Sequence, residues 1–74
     1  MELHWQERVK GILKGELKRR GISYKQLAEK LDELGVKTND RNIANQLARG
    51  SFSAVFLVQC LEAIGCNSVQ IRST

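Results

Sequence analysis

The sequence predicts an all-α domain of four short helices, and three observations carry that expectation. Apolar residues recur at i, i+3 and i+4 through four consecutive segments, the spacing of one helical face. Gly21, Gly35, Gly50 and Gly65 fall about 15 residues apart, each just past one of those segments, where glycine favours the left-handed turn that ends a helix. Ser23, Asn39 or Asp40, and Ser53 stand where the second, third and fourth segments begin, with side chains that accept from free backbone N–H groups. The helices are expected at about 5–20, 24–34, 41–49 and 54–64, in one domain spanning 1–74.

In the first segment Trp5, Val9, Ile12, Leu13 and Leu17 form one stripe, while Lys10, Lys14 and Lys18 recur on another face. Gly11 and Gly15 each cost about 1 kcal/mol against alanine in a helix interior, and they offer room for close helix packing. The second segment opens on Ser23-Tyr24-Lys25-Gln26, a capping box, and continues with Leu27, Ala28, Leu31 and Leu34 on its apolar side. The third places Ile43, Ala44, Leu47 and Ala48 on one half of the wheel, opposite Asn42, Asn45 and Arg49, with Arg41 and Gln46 flanking. In the fourth, Ala54, Leu57, Val58, Leu61 and Ile64 form the expected core stripe. Phe56, Cys60 and Ala63 form a second apolar stripe. The tail, 66–74, alternates polar and apolar residues from Ser68 to Arg72 as a short strand or extended arm does.

Composition removes several classes. Without proline, and with six glycines placed singly, the chain is no collagen-like segment, Pro-rich ligand or flexible linker. No apolar run approaches the ~20 residues of a membrane span. Cys60 and Cys66 are too few for a disulfide scaffold and lack zinc-site spacing, so a reduced, cytoplasmic setting and no metal or other cofactor are expected. His4 is the single histidine, and no nucleophile–base grouping or Gly-rich phosphate loop accompanies it. No enzyme and no small-molecule substrate are expected.

The net charge of +4 is unevenly spread. Residues 8–25 carry Arg8, Lys10, Lys14, Lys18, Arg19, Arg20 and Lys25 against Glu16 alone, whereas the rest of the chain is balanced or acidic. Such a stretch is either a solvated face or a surface for phosphates. The third segment is more telling. Its outer side has amides and guanidiniums and no lysine or glutamate. Arginine pairs with guanine O6 and N7, and asparagine or glutamine with adenine N6 and N7, in the major groove.

Tyr24-Lys25-Gln26-Leu27-Ala28-Glu29-Lys30-Leu31, then Gly35-Val36, then Ile43-Ala44-Asn45-Gln46-Leu47-Ala48-Arg49-Gly50, resembles the helix-turn-helix proteins of the lambda-repressor-like class. Tyr24-x-x-Leu27-Ala28 with Arg49-Gly50-Ser51-Phe52-Ser53 is also similar to a group of small bacterial proteins of unassigned function. The chain departs from the helix-turn-helix pattern at Asp32-Glu33-Leu34 before the turn glycine and at Lys37 to Asp40 after it, which leaves Ile43 and Ala44 as alternatives for one buried position.

The resemblance implies a bacterial transcriptional regulator bound to double-stranded DNA. Arg41, Asn42, Asn45, Gln46 and Arg49 would read bases, and Lys18, Arg19, Arg20, Ser23, Tyr24, Lys25 and Lys37 would hold phosphates. A homodimer is expected through the second stripe, Phe56, Cys60 and Ala63, joined by Val69 and Ile71. Two other functions compete: a protein-interaction adaptor using that same stripe, and an RNA binder using the basic surface.

Overall fold

Each loop hands a capping side chain to the helix that follows it, and the computed structural model, which describes residues 2–69, has four helices in consequence. They are α1, Glu2–Arg20; α2, Tyr24–Glu33; α3, Asp40–Arg49; and α4, Ala54–Ala63. Ahead of α2 the capping box is complete. Gln26 N–H donates to Ser23 Oγ at 3.1 Å, and Ser23 N–H donates to Gln26 Oε1 at 2.9 Å. Asn39 Oδ1 accepts from Asn42 N–H at 2.8 Å before α3, which settles the cap on Asn39, and Ser53 Oγ accepts from Phe56 N–H at 3.0 Å before α4.

Each helix sends two side chains to the centre: Leu13 and Leu17, Leu27 and Leu31, Ile43 and Leu47, Phe56 and Cys60, with Ile64 closing the end. At about 1.5–3 kcal/mol for burying one large aliphatic or aromatic side chain, this cluster is the main force holding the bundle. Both α3 and α4 pack on α1 and α2. Gly50 fixes one of these contacts. Its φ is +66°, and a Cβ there would lie 3.2 Å from the carbonyl oxygen of Gln6, so the end of α3 rests on the first turns of α1.

Several sequence expectations are corrected here. The core face of α4 is rotated: Phe56, Cys60 and Ile64 are buried, while Ala54 is exposed and Val55 and Val58 are 65% and 62% exposed. Leu57 and Leu61 only flank the core. The helix is apolar nearly all round, so its polar residues decide the orientation. Glu62, four residues past Val58 and seven past Val55, needs water and turns that side outward. Trp5, expected in the α1 stripe, is 57% exposed; Leu34, past the last turn of α2, and Ala48, expected in the α3 stripe, are exposed as well. Gly11 and Gly15 face open space, so neither serves a close helix contact. Residues 66–69 have no regular structure, and no strand occurs among the described residues; the rest of the expected arm, 70–74, lies outside them.

Candidate nucleic-acid interface

Asn39 starts α3 and Gly50 stops it, so its ten residues make just under three turns. With Ile43 and Leu47 locked in the core, Arg41, Asn42, Asn45 and Arg49 must point outward, and all four are exposed. Gln46 is half-buried at the edge of this row. Arg41, Asn45 and Arg49 follow one another at i+4, which stacks them along the helix axis. None of these five side chains has a hydrogen bond or ion pair among the described residues. Arg41 and Asn42 enter only through backbone N–H groups, donated to Asp40 Oδ1 and Asn39 Oδ1. An ordinary exposed helix pairs its charges at i, i+4; this row leaves its donors and acceptors open.

The expected phosphate contacts divide into two groups. Lys18 and Lys25 are exposed and have no ion pair among the described residues. Arg19 and Arg20 are both held by Glu16, at 3.1 Å and 3.3 Å. Lys37 meets Asp32 at 2.6 Å in an exposed pair, of a kind worth ~0–1 kcal/mol and readily exchanged. Ser23 spends its hydroxyl on the capping box, and Tyr24 is half-buried against the core. Both stand at the first turn of α2, where the helix N-terminus leaves backbone N–H groups for an anion.

Two features escaped sequence reasoning. Glu16 is buried, 5% exposed, although in sequence it reads as a lone acid diluted in a basic stretch. Its position three after Leu13 and one before Leu17, at the edge of the apolar stripe, was the available signal. The second feature is an open cleft between α2 and the start of α3, lined by Glu29, Asp32, Glu33 and Asp40 against Lys25. The lining carries more acid than base.

The expected dimer surface is corrected as well. Phe56 and Cys60 belong to the chain's own core and Ala63 packs against it, so none of the three forms a free stripe for a second chain or an adaptor partner. Phe56 is the largest apolar group on α4 and meets Phe52 edge to face, ring centres 5.5 Å apart. Val69 is half-buried and Ile71 lies outside the described residues. Burial pushes the Cys60 thiol up to about 12, which keeps it neutral and unreactive. Cys66 Sγ donates to the Ser68 carbonyl at 3.1 Å.

No group of three or more His, Cys, Asp or Glu side chains placed to hold a metal occurs among the described residues, and no helix there is long and apolar enough to cross a membrane. The fold and this surface define a small all-α domain whose distinguishing feature is one helix faced with unpaired amides and guanidiniums. The chain belongs to the family described as a domain of unknown function, DUF6471, whose model matches residues 5–69. No curated protein and no solved structure matches it.

Proposed function

We propose that the protein binds double-stranded DNA in a sequence-dependent manner and acts in transcriptional regulation, with α3 in the major groove. The observation that carries this reading is the open row Arg41, Asn42, Asn45 and Arg49 on a helix whose other side is fixed in the core. Eight residues separate Arg41 from Arg49, about 12 Å along the axis, the rise of roughly three to four base pairs. A rigid helix with base-reading groups over that length matches one short half-site. The helix-turn-helix resemblance supports the same use of α2 and α3.

The acidic cleft restricts the approach. Asp40 and the carboxylates of α2 flank the start of α3, so duplex is favoured along the middle and last turns of α3, at Asn45 and Arg49. Lys18 and Lys25, near the α1–α2 corner, then supply phosphate contacts. Selection from a random duplex library tests the proposal. An enriched motif is expected, with Asn45→Ala and Arg49→Ala each weakening binding ~5- to 150-fold at a particular base pair and Arg41→Ala, beside Asp40, weakening it less. No enrichment, or equal loss on random duplex, refutes sequence reading.

A further inference from the structure

We infer that Glu16 is a positioning residue that holds Arg19 and Arg20 as a two-guanidinium grip for a phosphodiester backbone. The inference rests on the duplex-binding reading and extends it to a residue of the wrong charge for such a role.

Glu16 occupies a costly position. It projects at the edge of the α1 core stripe, beside Leu13 and Leu17, and its side chain is only 7% exposed. Burying a carboxylate is unfavourable unless charged partners meet it, and replacing a buried ion cluster by an apolar side chain of similar size is often neutral or stabilising. Stability alone therefore gives little reason for an acid here. What the acid does is geometric. Oε2 accepts from Arg19 Nη1 at 3.1 Å and Oε1 accepts from Arg20 Nη2 at 3.3 Å, one oxygen to each guanidinium. Two long side chains, one residue apart, are thereby drawn to a common point at the end of α1.

Each guanidinium has five N–H donors and gives one nitrogen to Glu16, so most of its donors stay available. Arg19 is 71% exposed and Arg20 34%. The trio keeps one net positive charge. Arginine forks match phosphate oxygens in pairs, and a fork whose rotamer is already set loses less entropy on binding. The carboxylate thus gives up charge to gain orientation.

The two effects predict opposite signs, which makes the test decisive. If Glu16 acted only through charge, its removal would raise the net charge and tighten binding to any polyanion. If it positions the arginines, binding weakens although the protein becomes more positive. The measurement is fluorescence anisotropy of a short labelled duplex of mixed sequence, titrated with wild type, Glu16→Gln and Glu16→Met over a range of salt, with helicity checked by circular dichroism. The expected result is a ~5- to 10-fold weaker affinity for both variants, and a log–log salt slope shallower by about 1, the loss of one phosphate contact. The Nη–H resonances of Arg19 and Arg20, held apart by the contacts to Glu16 in the wild type, should collapse to the averaged exposed-arginine position in the variants.

Equal or tighter binding by a folded Glu16 variant overturns the inference and leaves the duplex reading standing. A wild type that binds no duplex even at low salt overturns both. Should neither Glu16 variant fold, the double variant Arg19→Lys with Arg20→Lys keeps the charge and removes the forks. Wild-type affinity in that protein overturns the grip, and a loss of the same size supports it.

Discussion

Truncating Phe56 to alanine should unfold this protein rather than dissociate it. Phe56 is 8% exposed, meets Phe52 edge to face, and lies with Cys60 in the cluster shared by all four helices. Removing a phenyl group from such a site costs ~3–5 kcal/mol, transfer and cavity terms together. At ~0.05–0.15 kcal/mol per residue, a chain of 74 residues has a total stability of roughly 4–11 kcal/mol. One substitution therefore removes from about a quarter to all of it. Val58→Ala, two residues on but 62% exposed, should stay within about 0.5 kcal/mol of wild type. Urea denaturation followed by far-UV circular dichroism measures both, with sedimentation of the same samples. A Phe56→Ala protein with the wild-type urea midpoint, or one that stays folded while a wild-type dimer falls to monomers, would refute the placement of Phe56 in the core.

Three further outcomes follow from the local geometry. Ser23→Ala removes one half of the capping box directly and should cost about 1 kcal/mol, a fall of ~4–8 °C in Tm for a domain of this size. The two kinds of glycine should respond oppositely to alanine. Gly11→Ala, in a helix interior facing open space, should gain about 1 kcal/mol. Gly50→Ala should lose ~1–2 kcal/mol, because φ is +66° and the new Cβ would press on Gln6; thermal melts of the pair give both signs. Cys60 has a folded-state value of about 12, raised by burial above its ordinary 9.0. Its contribution to stability is full below pH 9 and is lost as pH rises from there towards 12, because the unfolded thiol ionises first. Denaturant midpoints should carry this decline, and Cys60→Ala should lessen it.

How legible this was from sequence depended on whether an element had one apolar face or two. α2 and α3 each combine a single stripe with a side-chain cap and a terminal glycine, and their large buried residues follow directly, while Leu34 beyond the last turn of α2 and Ala48 of the α3 stripe are exposed. α4 offers apolar residues in nearly every direction, so periodicity alone returns two answers and the larger stripe is not the buried one. Weighing Phe56 as the biggest side chain and Glu62 as the one obligatory outward residue would have chosen correctly. The candidate site divides in the same way. The α3 row is a matter of helical geometry, so Arg41, Asn45 and Arg49 stand where spacing puts them. The ion pairs of Arg19, Arg20 and Lys37 depend on rotamers and burial, which residue order does not encode.

Groove dimensions favour DNA over RNA as the partner in the proposed reading of α3. With its side chains an α-helix is about 10–12 Å across, which fits the B-form major groove of ~12 Å. The major groove of A-form RNA is too deep and narrow for side chains to read its bases. A reader of unpaired RNA bases commonly uses exposed aromatic rings on which they stack. Phe56 is buried, Phe52 and Tyr24 are half-buried against the core, and Trp5 is set between His4 and the guanidinium of Arg8, 5.5 Å from the ring centre. The described residues thus offer no run of open rings, while they do offer a straight row of amides and guanidiniums on a helix. Those groups pair with base edges in a groove, and the groove that admits a helix is that of B-form DNA.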